Sequence, residues 1–412
     1  MNQFISRRSF LCKAGLGSLG AAAVGGWLDA AEPHDARPGT EIPAQSGILG
    51  QSGVQTAVRP KGTWQPVSER RIRVGIVGYG VCQFGAAFGF QDHPNVAVAA
   101  VSDLIPGRCA ALAKACRCEK TYPSLEELVK DNSLEAVFVA TDAPSHAAHC
   151  IDVLRHGKHV ACAVPAVFGS LDDAHRLHEA VRAGGRKYMM FETSAFRADC
   201  HAMRQVWRSG GFGQLVYCEG EYYHYSPEPI PSFRDWRVGL PPQWYPTHSN
   251  AYYACVSDGR FTEVSCMGMP SRVKHLQPEN NRYHNPLGTE IALLRTSEGA
   301  VARMAVSWDT PGEEVEVGRV RGQRGGMAGV NYVGQEKNLP NLECPPLPPG
   351  VAPGGHGGSH GHLANEFVTA ILENRKPLVD ICLALNLTVA GIVAHQSALH
   401  NGELMKIPQF AG

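Results

Sequence analysis

The pattern of apolar and polar positions divides the chain into two parts. From residue 71 to residue 195, short β-branched runs alternate with amphipathic stretches, the order expected when strands are joined by helices. Such alternation predicts a doubly wound parallel sheet covered by helices, a Rossmann domain. The predicted strands are Ile72–Gly78, Val96–Ser102, Ala136–Ala140, His159–Cys162 and Tyr188–Phe191. Two predicted helices, Leu125–Lys130 and Leu171–Ala183, each follow a serine that can cap the helix N-terminus.

The pattern changes between residues 196 and 412. Period-two alternation predicts strands, and a serine-glutamate-glycine turn at residues 297–299 predicts a hairpin. Two apolar stretches, 362–373 and 381–400, predict helices near the end of the chain. This part is therefore predicted to be an α/β domain with a large, mostly antiparallel open sheet. Its predicted strands are Leu215–Tyr225, Ile291–Thr296, Val301–Trp308, Val315–Arg321 and Ala328–Val333.

The first 31 residues have the features of a twin-arginine export signal. Arg7 and Arg8 precede Phe10 and a mildly apolar run to Leu28 that is short and rich in glycine, so a stable membrane anchor is not expected. Residues 32–70 are rich in Pro, Gly, Ser and Gln, as in a flexible linker. We expect the twin-arginine translocase to be a partner and the periplasm, or another exported location, to be the destination.

Composition excludes some classes of function. The chain of 412 residues has 38 basic and 38 acidic residues, so it lacks the charge expected for binding nucleic acid. Its 13 cysteines include no C-x-x-C pair. His356, His360 and His362 lie in a glycine-rich tract without an acid or cysteine at ligand spacing, and no metal is predicted there.

The strongest candidate for chemistry is the turn that follows the first strand. Gly78, Tyr79, Gly80 and Val81 connect that strand to an apolar stretch predicted as a helix from Gly85 to Phe90, and the second strand ends at Asp103. Glycines allow the backbone to approach a pyrophosphate, and the acid can accept hydrogen bonds from a ribose diol. Gln83 occupies the position of the third glycine of the usual fingerprint. The pattern predicts NAD, although Arg108 could accommodate the phosphate of NADP. Further predicted cofactor contacts on loops after strands are Thr141, Ala143, Val164, Pro165 and Glu192.

From Arg71 onward the chain resembles the Gfo/Idh/MocA family of sugar and polyol oxidoreductases. The resemblance is carried by Pro144-Ser145-His146 and by Gly157-Lys158-His159-Val160, and it implies a cofactor contact for His146. The family's Glu-Lys-Pro motif reads Ala163-Val164-Pro165 here. The lysine that normally handles a proton beside the substrate is therefore missing.

One branch of that family, which contains the NAD-dependent α-N-acetylgalactosaminidases, is more similar. The matches are at residues 164–166, 188–192, 211–213, 245–248 and 354–358. Enzymes of this branch oxidise a sugar hydroxyl, eliminate and re-add across the ring, and then reduce again, so that NAD is regenerated in each turnover. This sequence departs from the branch at Ser249-Asn250-Ala251 and at Ser359-His360.

The missing lysine directs attention to other proton-transferring side chains. A proton acceptor works best with a pKa near the working pH, which favours a histidine, and the resemblance places His248 at the nicotinamide. We expect His248 to be the acid/base residue, assisted by Tyr245 or Tyr223. The predicted substrate contacts are Arg197, Tyr222, His224, Thr247 and His356.

Three functions remain open at this point. The first is an oxidoreductase with tightly bound NAD acting on a sugar or glycoside, and the second is a redox-neutral glycoside hydrolase. The third is a catalytically weak, cofactor-bound carbohydrate-binding protein, which the missing lysine allows. In each case we expect a homo-oligomer formed through the C-terminal sheet.

Overall fold

The computed structural model describes residues 63–411, which belong to one compact unit. The predicted export signal and most of the predicted linker lie outside the described residues. The strands are β1 Ile72–Val77, β2 Val96–Ser102, β3 Thr121–Tyr122, β4 Ala136–Val139, β5 His159–Cys162, β6 Tyr188–Met190, β7 Leu215–Tyr223, β8 Phe261–Pro270, β9 Leu287–Thr296, β10 Val301–Ser307, β11 Val315–Gly322, β12 Gly325–Ala328, β13 Asn331–Gly334 and β14 Met405–Lys406.

The helices connect these strands and cover the sheets. They are α1 Phe84–Ala87, α2 Pro106–Cys116, α3 Leu125–Leu128, α4 His146–Arg155, α5 Leu171–Gly184, α6 Ala198–Arg208, α7 Thr247–Ala254, α8 Gly355–Gly358, α9 His360–Leu372 and α10 Ile381–Leu399.

The first sheet has the strand order β3-β2-β1-β4-β5-β6, and all of its pairs are parallel. This is the order of a dinucleotide-binding Rossmann fold, whose ligand cleft lies at the carboxyl ends of the strands where the order reverses. The central strands β1 and β4 are buried almost throughout because helices cover both faces. The prediction of a doubly wound parallel sheet is confirmed.

The second sheet has eight strands in the order β13-β12-β11-β7-β10-β9-β8-β14. Only the β7–β10 pair is parallel, so the prediction of a mostly antiparallel sheet is also confirmed. On β7, Gly220 faces helix α7, and a Cβ at this position would collide with the carbonyl oxygen of Ser249. The glycine therefore allows α7, which carries His248, to pack directly on the sheet.

Several local predictions were wrong. The predicted helix from Gly85 to Phe90 is the four-residue helix α1, which ends before Gly89 because that glycine adopts a left-handed φ of 74°. The predicted strand Ala328–Val333 is a hairpin of β12 and β13 that turns at Gly329. Strand β8 was missed, since its alternation weakens toward Gly268 and Pro270.

Helix α10 has the length and apolar composition of a membrane-crossing helix. Most of its residues are nevertheless buried within the described part of the chain, where the helix packs against β8, α5 and α7. A core helix of a globular domain has the same composition.

Candidate active site

A cleft opens at the carboxyl ends of β1, β2 and β4. The Gly78-Tyr79-Gly80 turn forms its floor. Gly78 has a φ of 102°, and a Cβ there would collide with the carbonyl oxygen of Ala140, so only glycine fits. Around Gly80 a Cβ would meet nothing within 4 Å, which leaves the backbone open to a ligand. The cleft is thus built for close approach of a phosphate group to the main chain.

Gly85 takes over the packing role expected of the third fingerprint glycine. A Cβ on Gly85 would collide with the carbonyl oxygen of Gly78 and press on Leu112. The residue in the fingerprint position, Gln83, instead adopts a left-handed φ of 51° at the start of α1. The departure from the fingerprint therefore shifts the packing glycine by two residues and leaves the turn intact.

Asp103 lies at the end of β2, on the wall of the same cleft. One carboxylate oxygen accepts from the Tyr79 amide at 2.7 Å and the other from the Ile105 amide at 2.9 Å. Each oxygen keeps a further lone pair, so the carboxylate can still accept from two ribose hydroxyls. The glycine turn and this carboxylate together fit a dinucleotide.

At the buried end of the site, His248 and Glu192 form an ion pair. Glu192 follows β6, His248 lies in the first turn of α7, and their Oε1 and Nδ1 atoms are 2.8 Å apart. Both side chains are almost completely buried. The segment around His248 is helical, because α7 begins at Thr247. Nε2 of His248 has no hydrogen-bond partner within residues 63–411, so it is the nitrogen free to act on a ligand.

Glu316, on β11, completes this cluster. Its Oε1 atom lies 3.9 Å from Nδ1 of His248, and the carboxylate accepts a hydrogen bond from the Ser194 hydroxyl. Arg197 lies on its other side, with Nη1 3.7 Å from Oε2 of Glu316. Burial lowers the pKa of His248, but the carboxylates of Glu192 and Glu316 outweigh burial and raise it to about 8.

The same three side chains could hold a divalent cation. Ligand atoms of Glu192, His248 and Glu316 lie within 4.8 Å of one another, and carboxylate and imidazole are common metal ligands.

The histidine tract at residues 356–362 is arranged differently. There, Nδ1 of His356 lies 2.8 Å from Nε2 of His360, and the His356 ring stacks on His248 with centroids 6.3 Å apart. Burial, followed by the charge on His248, lowers the pKa of His356 to about 4.

Aromatic side chains surround His248. The rings of Tyr222 and Tyr245 have centroids 4.6 and 5.6 Å from the His248 ring. Burial raises the pKa of Tyr245 to about 12 and that of Tyr222 well above its usual value, so both phenols stay protonated and can donate. The structure thus brings Tyr222, Tyr245 and His248 together.

Tyr223, which was predicted to assist His248, is not part of this cluster. Successive strand residues point to opposite faces, so Tyr223 lies on the face of β7 away from Tyr222. Its electrostatic neighbours there are Glu221 and Arg303. The next residue, His224, lines a second pocket together with Arg237, Tyr245 and Trp308. Nδ1 of His224 lies 3.4 Å from Oε1 of Glu314.

Among the predicted cofactor contacts, five besides Gly78 and Gly80 line the cleft: Tyr79, Val81, Asp103, Arg108 and Thr141. His146 is fully buried instead, with Nδ1 2.8 Å from the Pro165 carbonyl and Nε2 3.2 Å from the Thr141 carbonyl. It therefore ties together the loops after β4 and β5. Four others lie outside the cleft wall as buried residues: Ala143, Val164, Pro165 and Glu192.

Among the predicted substrate contacts, Thr247 is buried as the first residue of α7. Arg197 lies against Gly357, where a Cβ would meet its guanidinium, and so connects Glu316 to the loop that carries His356. Sequence reasoning missed Glu316 and also Arg237, which lines the cofactor cleft. Neither residue belongs to a local motif, and only the long connections of the second domain bring them to the site.

Comparison with known proteins agrees with this geometry. Residues 72–192 match the family described as an oxidoreductase family with an NAD-binding Rossmann fold. This part of the chain is therefore similar to the NAD-binding domain of that family.

Curated relatives of the chain include members of glycosyl hydrolase family 109. Protein 1 of this family from Bacteroides fragilis (strain YCH46) is 28% identical over 177 residues, which are 40% of this chain and 38% of the relative. Protein 2 from Akkermansia muciniphila is 26% identical over 367 residues, 80% of this chain and 75% of the relative. The chain thus spans about two fifths of the first relative and three quarters of the second.

Solved structures share the fold. A levoglucosan dehydrogenase in complex with NADH and levoglucosan has a TM-score of 0.64 at 16% identity, covering 82% of this chain and all of the other. An aldose-aldose oxidoreductase from Caulobacter crescentus complexed with glycerol has a TM-score of 0.63 at 16% identity, with the same coverage.

We predict that Asp103 selects NAD over NADP. Its carboxylate can accept from both ribose hydroxyls and would repel a 2′-phosphate, and each charge-assisted hydrogen bond contributes about 1.5–3 kcal/mol. Asp103→Ala should therefore weaken NAD binding by at least about 100-fold, as measured by calorimetry on stripped protein. Asp103→Asn, which keeps an acceptor but removes the charge, should relax discrimination against NADP. Unaltered NAD affinity in the alanine variant, or native protein that carries NADP, would contradict this assignment.

Proposed function

We propose that this protein is an NAD-dependent oxidoreductase that acts on a sugar or glycoside and keeps its NAD bound through turnover. The observation that carries the proposal is the buried Glu192–His248 pair, 2.8 Å apart. It lies beside Tyr222 and Tyr245, which both line a neighbouring pocket. The dehydrogenase structures that share the fold support the choice of a carbohydrate.

His248 and Tyr245 have different roles in the proposed oxidation of the sugar hydroxyl. Bound NAD would accept the hydride from the carbinol carbon. Nε2 of His248 takes the hydroxyl proton, because Nδ1 is engaged by Glu192, and the resulting imidazolium is stabilised by the two nearby carboxylates. Tyr245 stays protonated and donates a hydrogen bond to the substrate oxygen. His248 thereby supplies the proton transfer that the missing lysine performs elsewhere in the family.

A redox-neutral glycoside hydrolase is the second candidate, and the names of the curated relatives favour it. In that route the sugar is oxidised, the aglycone is eliminated, water is added, and the hydride returns to the sugar. His248 would then both accept and return protons, and a pKa near 8 suits a group that does both near neutral pH.

One experiment separates the candidates. Purified protein with its own NAD is incubated in D₂O with 4-nitrophenyl glycosides and no added cofactor. Many turnovers of nitrophenol release, with deuterium next to the oxidised carbon, would establish hydrolysis. Accumulation of NADH equal to the enzyme present, without nitrophenol, would establish a dehydrogenase awaiting its acceptor. Neither signal, with sugar binding retained, would leave a carbohydrate-binding protein and contradict both activities.

We propose that export uses the twin-arginine translocase, which transports folded proteins with their cofactors. Outside the cytoplasm no large pool of free nicotinamide is available, and this is a reason for NAD to be regenerated in place. Replacing Arg7 and Arg8 together by lysine should retain the precursor in the cytoplasm, as assayed by fractionation and immunoblotting. A single change of Arg37 to lysine, outside the arginine pair, is the control. Undiminished export of the double variant would refute the signal.

We also propose that two copies associate through the outer face of the second sheet. This face exposes apolar side chains that include Met267, Met269 and Leu293. It also carries both signs of charge, with Arg303 paired to Glu219 and Glu221. An apolar face with both charges can complement a second copy of itself. Light scattering should give at least twice the mass of the chain, and a monomer at micromolar concentration would contradict the proposal.

A further inference from the structure

A guanidinium group lies where the cofactor cleft meets a second pocket. Arg237 lines both cavities. Its guanidinium stacks over the Trp236 ring, 4.3 Å from the centroid, and lies 5.8 Å from the centroid of Tyr245. No carboxylate within residues 63–411 forms an ion pair with it. The stacking thus holds a half-buried cation in place without a counter-charge.

The second pocket is small, and its lining combines aromatic walls with a few polar groups, as ligand sites do. Tyr222, Tyr245 and Trp308 form aromatic walls, and Tyr222 and Tyr245 also contact His248, so the pocket adjoins the proposed acid/base. Aromatic faces suit the apolar face of a sugar ring. No aspartate or glutamate is part of the pocket wall in the described residues.

One ring nitrogen of His275, in the same pocket, also has no partner. Nε2 of His275 is 2.8 Å from the Ser226 carbonyl, and because a carbonyl only accepts, Nε2 must carry a proton. Nδ1 of the same ring is buried and makes no hydrogen bond within the described chain, although the side chain is nine-tenths buried. A buried polar atom without a partner is costly, which indicates that a ligand or solvent satisfies it.

We propose that this pocket binds the anionic substituent of an acidic sugar, with Arg237 as its receptor. The inference rests on the proposed function and narrows its substrate to sugars that carry a carboxylate or a sulfate ester. A guanidinium presents a planar set of donors that matches either group with two parallel hydrogen bonds. The anion would supply the missing counter-charge of Arg237, and Nδ1 of His275 would accept a hydrogen bond from a hydroxyl of the sugar. The sugar ring would then extend from the aromatic walls toward Nε2 of His248.

Binding of defined sugars tests the proposal directly. Calorimetry on the purified protein with its NAD bound would use methyl glycosides of galacturonic and glucuronic acid, the 6-O-sulfated galactoside and glucoside, and the neutral parent sugars. We expect the acidic sugars to bind roughly 10- to 100-fold more tightly than the neutral ones, as is usual for a charge-assisted pair. The uronides and the sulfated sugars separate the two possible anions, because one series should bind more tightly than the other.

Three variants identify the receptor. Arg237→Met keeps the length of the side chain and removes its charge, so it should abolish the preference for acidic sugars, whereas Arg237→Lys should retain part of it. Arg234→Met removes an exposed charge three residues away on the same loop and should change nothing. NAD content should be the same in all three variants.

The possible failures are distinguishable. Equal affinity for neutral and acidic sugars, no binding of any acidic probe, or an equal effect of Arg234→Met would overturn the inference. Loss of NAD from Arg237→Met would assign the guanidinium to the cofactor instead and would overturn it as well. A third result separates the two proposals. If acidic sugars bind through Arg237, but neither NADH absorbance nor aglycone release is then observed, the inference holds and the proposed function fails.

Discussion

His248→Ala should lower the rate of turnover by roughly 10²–10⁴-fold, the usual contribution of a positioned general acid or base. The reason is that Nδ1 of His248 is held by the Glu192 carboxylate, which leaves Nε2 available, and that the imidazole ring lies against Tyr222 and Tyr245. NAD occupancy, measured from cofactor released on denaturation, should be nearly unchanged because the residue lies outside the wall of the cofactor cleft.

The alanine variant also leaves Glu192 buried without its partner, and such a change can cost about 3–5 kcal/mol of stability. His248→Gln is therefore the matched variant, since its amide can still donate to Glu192 but cannot accept the hydroxyl proton. Both variants should lose the same activity, and the glutamine variant should unfold at a temperature closer to that of the parent. Full activity in the folded glutamine variant, or loss of NAD in place of activity, would refute the role assigned to His248.

Much of the fold was predictable because its signals are local. The β-branched runs of β1, β2 and β4 are continuous, since both faces of a parallel sheet are buried, and their bounds were predicted within one residue. Strand β8 has no such signal. Its outer positions include Met267 and Met269, which are exposed yet apolar, so inside and outside are poorly distinguished in the sequence. The short helix α1 depends on a backbone conformation at Gly89 that apolar periodicity does not record.

The site was predictable only in part, and the difference again depends on distance along the chain. The cofactor cleft arises from one strand–turn–helix–strand unit, so Gly78, Gly80 and Asp103 could be recognised from their spacing. The acid/base cluster joins the end of β6, the start of α7 and strand β11. Glu316 therefore carries no local signal. The choice between Tyr222 and Tyr223 required knowing which face of β7 packs on α7, and Gly220 against Ser249 decides this.

Glu192→Gln should change the pH dependence of the rate, because Glu192 positions and charges His248. Burial by itself lowers the pKa of His248, and the Glu192 carboxylate is the largest of the influences that raise it, to about 8. As the proton acceptor, His248 must be neutral, so the rate of oxidation in the parent protein should rise as the pH increases through about 8. Without the carboxylate this midpoint should move to lower pH. The plateau rate should also fall, on the order of 10²-fold, because the imidazolium and its orientation are no longer supported.

The same coupling predicts a change in stability, with a definite sign. The pKa of His248 is raised on folding from 6.5, so the protonated ion pair stabilises the folded protein fully below about pH 6.5, and this contribution is lost as the pH rises through about 8. Thermal unfolding of the parent should show this loss, and Glu192→Gln should not. Glu316→Gln is the control. Glu316 lies 3.9 Å from Nδ1 of His248, whereas Glu192 lies 2.8 Å from it, so removing the Glu316 charge should move the pH midpoint of the rate less than removing the Glu192 charge does. If both substitutions shift the rate profile equally, or if neither does, Glu192 is not the residue that sets the pKa of His248.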